Sequence, residues 1–231
     1  MIQPTRLHRR TLTTYIPFII FLLSLLIIIN HLHPGALRLP THSIRFSSHT
    51  DKCDWSSLPV PLRVAIASSA AGKGCYKVVL HENKDSISEE LWEGNMWEEN
   101  VRLALKTAMK FVGMDNVRNE KKVFLDAGAN IGVHSLFYAS QNYSVHAFEP
   151  THSSRIRLLC SLSINKFHKN MHVYPYVLSN SSDHKTICMR SQDPANLGAT
   201  GVSYEGCDPK DLVETMTIDE WWVGVVGKRP V

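Results

Sequence analysis

Hydrophobic positions fall into distinct patterns along the chain. Residues 11–29, TLTTYIPFIIFLLSLLIII, contain no charge. As a helix this run would be about 28 Å long, close to the hydrocarbon thickness of a bilayer. The stretch 88–112 has helical spacing, with Trp97, Val101, Leu105, Ala108 and Val112 on one face and Gly94 dividing a short turn from the main helix. Trp92 and Trp97 are assigned to core packing in preference to a sugar- or sulfonium-facing role, and Glu98 and Glu99 to an exposed helix face in preference to a catalytic base. Strands are expected at 123–126, 144–148 and 172–177, the first opening on the continuous apolar run Val123, Phe124 and Leu125. Runs of that kind suit strands covered on both faces, as in a parallel sheet. Between them, 132–140 and 153–167 have helical character. Upstream, 61–67 and 75–81 predict two strands around a glycine-containing turn, and a short polar pair is expected near 185–190 and 202–204. Lys121 and Lys122 are expected at a solvated strand entrance.

The first two runs each end in an acid. VFLDAGANIG places Asp126, Gly128, Asn130 and Gly132 at alternate positions, and VHAFEP ends at Glu149. Glycines let the backbone turn sharply and let a ligand approach closely, and a following helix turns its amino end toward that ligand. A dinucleotide turn is G-x-G-x-x-G and brings backbone against a pyrophosphate. Here an acid precedes the glycines, where a diphosphate would be repelled. A sulfonium cofactor without phosphate, S-adenosylmethionine (S-adenosyl-L-methionine), fits better, with Glu149 accepting from the ribose hydroxyls as an acid does for NAD. His134 is the histidine nearest the turn and is assigned to the helix surface or to packing; the catalytic base is not identifiable.

DAGANIG, FEP and NMHVYPYVLSNSSDHKTICMR resemble the FkbM-type S-adenosylmethionine-dependent O-methyltransferases. The likeness runs over about 88–231, through Asn165, VLSN at 177–180 and ETMTIDEW at 214–221. It implies a Rossmann-like, doubly wound α/β methyltransferase sheet. It also implies cofactor contacts at Asp126, Gly128, Asn130, Gly132 and Glu149, an adenine-lining turn at Ser179, and a substrate-side loop containing Asn196 and Gly198. In that family a K-I-D-x-E-G segment follows, and none occurs here. The expectation is therefore a C-terminally incomplete domain, its strand at 123–126 open along one edge, with activity of the chain in doubt. The expected function is methylation of a hydroxyl on a glycan or other small acceptor. The alternatives are a non-catalytic, membrane-anchored product of such a gene and, behind it, an NAD-binding Rossmann protein.

The remaining features set the surroundings. Arg6, Arg9 and Arg10 precede the apolar run, so residues 1–10 are expected in the cytosol, 11–30 as a signal anchor and transmembrane helix, and the bulk on the far side, in the Golgi or endoplasmic reticulum. Residues 31–60 have the composition of a stem or linker, 61–87 are expected to hold the amino-terminal strands, and the resemblance implies a C-terminally incomplete methyltransferase domain over 88–231. Sequons at Asn142 and Asn180 are compatible with a lumenal side. Five cysteines show no metal spacing; Cys53–Cys75 or Cys188–Cys207 are candidate bridges, and Cys160 is expected as a buried thiol. The net charge of +4 comes with no basic stripe or recognised module, so no nucleic-acid partner is expected.

Overall fold

A computed structural model describes residues 62–68, 75–82, 85–111, 113–118, 122–181, 183, 185–191, 193, 195–203 and 207–226. The expected span at 11–30 and stem at 31–60 lie outside the described residues. Among those described, no helix is long and apolar enough to cross a membrane.

The chain is a mixed α/β fold around a parallel sheet. Strands β1 (Val64–Ser68) and β2 (Cys75–Val79) form an antiparallel hairpin. Helices α1 (Ser86–Trp92) and α2 (Glu99–Phe111) follow, separated at Gly94 as the sequence predicts. Then come β3 (Val123–Ala127), α3 (Val133–Ser140), β4 (Ser144–Phe148), α4 (His152–Asn165) and β5 (Met171–Tyr174). β3, β4 and β5 form a parallel sheet in that order. Among the described residues β3 has β4 as its sole strand neighbour, so its other edge carries no strand.

The expected strand at 172–177 is two strands. It breaks at Pro175, which has no N–H to give to a ladder, and the chain passes into a second sheet. β6 (Val177–Ser179) pairs in parallel with β9 (Leu212–Thr217), a strand the sequence reading missed. β7 (Thr186–Ser191) and β8 (Thr200–Ser203) are the expected polar pair, and the order is β6-β9-β7-β8. β9 runs into α5 (Ile218–Trp221), whose cap is Thr217 in a reciprocal pair with Glu220.

Burial explains how these elements lock together. Val145, Ala147 and Phe148 of β4 are buried, as are Leu136 of α3 and Leu158 of α4. Trp221 is fully buried, its ring 4.8 Å from His146 and 5.9 Å from Phe148, which ties the second sheet to the first. The hairpin is fixed to α4 by polar contacts. Asn165 accepts from Lys77 N–H at 2.8 Å and donates to Lys77 C=O at 2.7 Å, and Ser161 Oγ accepts from Val79 N–H at 2.8 Å. An edge strand is thereby satisfied by side chains instead of another strand.

Several expectations are corrected. On α2 the buried positions are Arg102, Leu105 and Met109, a stripe turned from the one expected. Lys122 is buried and not at a solvated entrance, with its ammonium 5.3 Å from the Tyr143 ring centre. Trp92 is 55% exposed, with the Arg63 guanidinium 4.8 Å from its ring, so it is no core residue. Cys188 and Cys207 are bridged, but Cys75 is free, which removes a Cys53–Cys75 pair. Cys160 is disulfide-bonded and not a thiol, its partner lying outside the described residues.

Two glycines of the β3–α3 turn separate backbone freedom from packing. Gly128 and Gly132 have φ of 81° and 90°. A Cβ on Gly128 would meet open space, whereas one on Gly132 would overlap the Leu158 side chain. Gly128→Ala is expected to cost about 1–2 kcal/mol from the left-handed backbone alone. Gly132→Ala adds overpacking and should cost about 3 kcal/mol or more. Urea unfolding of both variants measures the difference, and equal losses would contradict the close approach of α4 to the turn.

Candidate cofactor site

The turn after β3 is held from the neighbouring strand. The N–H groups of Gly128 and Ala129 donate to Phe148 C=O at 2.9 and 3.0 Å. Glu149, at the carboxyl end of β4, is buried, and its two oxygens serve different elements: Oε2 accepts from Asn130 N–H and Oε1 from Thr151 N–H, both at 2.7 Å. The Thr151 side chain also hydrogen-bonds this carboxylate, which leaves about one of its roughly four acceptor positions open. Burial pushes the Glu149 carboxyl up, while the N–H groups of Thr151 and Asn130 and the nearby Arg155 act the other way. Arg155 in turn donates to the carbonyls of Glu149 and Pro150, at 3.1 and 2.6 Å.

Asp126 sits at the end of β3. Its Oδ2 accepts from Ser135 Oγ at 2.6 Å, in the first turn of α3. The residue as a whole is half-buried, yet burial dominates its carboxyl and raises it, with His134 and Ser135 opposing. His134 is neither plain surface nor packing. Its Nε2 lies 3.1 Å from Glu98 Oε2, and its Nδ1 is buried without a partner. Glu98 is exposed as expected, but it lies in the α1–α2 turn with a left-handed backbone (φ 49°) and makes this contact, while Glu99 is exposed at the start of α2.

Asn130 has φ of 51°, a conformation asparagine tolerates better than most residues. Both polar atoms of its side-chain amide are buried and lack a hydrogen-bond partner. A buried, orphaned amide calls for an explanation, and a polar ligand at the turn supplies one. The loop expected to lie on the substrate side does reach this point: a Cβ on Gly198 would be 3.1 Å from Asn130 Nδ2 and 3.4 Å from Asn196 Oδ1. Asn196 precedes the 3₁₀ turn Leu197–Ala199 and is exposed. Ser179 stands apart in its contacts, on β6, with its hydroxyl accepting from Ser181 N–H at 3.1 Å.

The anchors of that loop were missed in the sequence. Asp85 is fully buried, caps α1 through Ser88 N–H at 3.0 Å, and accepts from Leu197 N–H at 3.2 Å through its other oxygen. Ser86 N–H donates to Ala195 C=O at 3.1 Å. Behind them, buried His81 lies 3.2 Å from Ser154 Oγ, and burial, then Arg157, lower its pKa to about 4. An Asp immediately before an apolar helical run is a start signal; placing the start at Ser88 concealed it. Among the described residues no group of His, Cys, Asp and Glu could hold a metal ion.

Comparison with protein-family models, with curated proteins and with solved structures finds no match.

The raised Asp126 carboxyl has a consequence for stability. A carboxyl whose folded pKa lies above its unfolded value favours the fold while protonated, and that contribution is lost as pH rises through the folded pKa. Asp126→Asn keeps an acceptor for Ser135 and removes the ionised state. At pH 7.5 the ligand-free variant should therefore show a higher urea midpoint than the native chain, and the gap should close as pH falls below the ordinary Asp range. A variant less stable at every pH would contradict the assignment.

Proposed function

We propose that the chain is an S-adenosylmethionine-dependent methyltransferase with a Rossmann-like, doubly wound architecture. It methylates a hydroxyl on a glycan or other small acceptor. The observation that carries this is the acid-first glycine turn. Asp126 stands at the end of β3, Gly128 faces open space, Asn130 has an unpartnered amide, and Glu149 at the end of the adjacent parallel strand clasps that turn. Ligands of open α/β sheets bind outside the carboxyl ends of the strands.

The donor set fits the proposed cofactor. S-adenosylmethionine, when bound, supplies a methyl group on a positively charged sulfur. Asp126 and Glu149 give a negative lining that suits a cation and opposes a pyrophosphate, which sets the NAD reading behind this one. Glu149 retains acceptor capacity for a ribose hydroxyl. Asn130 can donate and accept at once. Gly128 leaves its backbone open to close approach. Ser179 is proposed for the adenine side, and Asn196 and Gly198 for the acceptor side, where their loop covers Asn130. Because methyl transfer depends mainly on alignment of the reacting groups, the chain's contribution is to bind and orient.

The chain is also proposed to be anchored by residues 11–30 with this fold in the secretory lumen. The bridge between Cys188 and Cys207 and the bonded Cys160 suit an oxidising compartment. Asn142 and Asn180 of both sequons are exposed.

Calorimetric titration tests the cofactor. S-adenosylhomocysteine should bind and NAD should not; binding of NAD alone would sink the proposal. Asn130→Gly preserves the left-handed backbone and the N–H given to Glu149 while deleting the amide. It should weaken S-adenosylhomocysteine binding about tenfold, the worth of a good hydrogen bond. Location is tested by expressing the full chain in cells with a secretory pathway. Glycosidase treatment should increase its gel mobility, and a chain that carries no glycan and stays protease-accessible from the cytosol would place the fold on the other side.

A further inference from the structure

A cavity of about 120 Å³ lies between the β1–β2 hairpin, the α1–α2 turn and the start of α3. Its walls include Cys75, Tyr76, Asn95, Trp97, Arg102 and Val133. A cavity of about 150 Å³ accommodates benzene, so this smaller one holds a carboxylate and part of a six-membered ring, the rest of the ring lying at the mouth beside exposed Asn95 and half-buried Trp97.

Arg102 distinguishes the cavity. It is 8% exposed, and its guanidinium stacks 4.9 Å from the Phe137 ring centre. Among the described residues no carboxylate pairs with it. The other buried arginines are committed elsewhere: Arg155 to the carbonyls of Glu149 and Pro150, and Arg157 to Glu82 at 3.0 Å and to the carbonyls of Leu80 and Ser153. Burying a cation without a counter-charge is costly. Tyr76 beside it is buried, hydrogen-bonds the Arg102 side chain and gives its own proton to Val133 C=O at 3.5 Å; burial raises its pKa, so it is a neutral partner and not a counter-charge. A guanidinium fork matches a carboxylate in two-point geometry. The half-buried Trp97 offers a ring face and Asn95 an amide at the same cavity. Trp97 is thus a wall residue and not the core residue expected from its spacing.

We propose that this cavity binds a ring bearing a carboxylate, with Arg102 pairing the acid and Trp97 and Asn95 flanking the ring. Val133 directly follows Gly132, so the cavity adjoins the turn assigned to the cofactor. Anion binding here stands by itself. That the ligand is the methyl acceptor, an acidic sugar or an aromatic acid, rests on the methyltransferase reading.

The free thiol of Cys75 lines the cavity and is exposed, so it serves as a reporter. Alkylation of Cys75 in the full chain is followed by mass spectrometry of its peptide at constant ionic strength. Glucuronate, benzoate, glucose and inorganic phosphate are the probes. At saturation glucuronate or benzoate should slow alkylation at least about fivefold by occupancy, and whichever does so identifies the ring as sugar or aromatic. Glucose and phosphate should have little effect. Protection by none of the probes, or equal protection by glucose or phosphate, would overturn the proposal. Arg102→Gln should abolish the protection. Should that variant lose its cooperative melt, Ala67→Leu, which fills the cavity from β1, should abolish it instead; undiminished protection in a folded variant would count against the site. S-adenosylhomocysteine plays no part in this readout, so failure of the cofactor assignment and failure of the cavity are separately visible.

Discussion

Glu149 is the residue on which the site depends. One buried carboxylate ties the turn after β3 to the first residue before α4, through Asn130 N–H and Thr151 N–H at 2.7 Å each. Two parallel strands end side by side, and the carboxylate adds to the bonds that Gly128 and Ala129 N–H give to Phe148 C=O in holding their loops together. Burial resists the charge, and the fold answers with N–H donors and Arg155 nearby. An acid buried at a cost and held by backbone groups is a preorganised acceptor. The same arrangement fixes Gly132 against Leu158 and leaves Asn130's amide without a partner.

The rest of the chain builds outward from that clasp. α3 and α4 pack behind it, and the hairpin is pinned to α4 through Asn165 and Ser161. Asp85 then joins the start of α1 to the 195–199 loop, which closes over Asn130. Three segments far apart in sequence thus converge on one turn. The second sheet is coupled to the first through Trp221 against His146 and Phe148. The cavity at Arg102 lies where the hairpin and the α1–α2 turn meet the start of α3, on the margin of the same region.

What was legible in the sequence was what is local. Continuous apolar runs marked β3 and β4, and two acids with alternating glycines marked the turn between them, because strand burial and φ above zero restrict residue choice directly. The split helix at Gly94 and the β7–β8 pair were legible for the same reason. What was hidden depends on tertiary partners. Lys122 and Arg102 are charged residues that a local pattern assigns to solvent, yet each finds an aromatic ring in the fold. Cys160 has ordinary core spacing and is bonded through sulfur. Pro175 was the available signal that the run at 172–177 breaks, and the short β9 was masked by its polar alternation. Asp85 reaches Leu197 across more than a hundred residues, which no local pattern shows.

The central claim is that the Glu149-clasped turn is the seat of a sulfonium nucleoside. Hydrogen–deuterium exchange of the full chain, with and without S-adenosylhomocysteine, tests it directly. Slowed exchange should concentrate in peptides covering 126–133 and 149–151, with a smaller effect at 195–199 where the loop covers Asn130. Unchanged exchange at 126–133 and 149–151 under saturating ligand, or protection confined to another part of the fold, would contradict it.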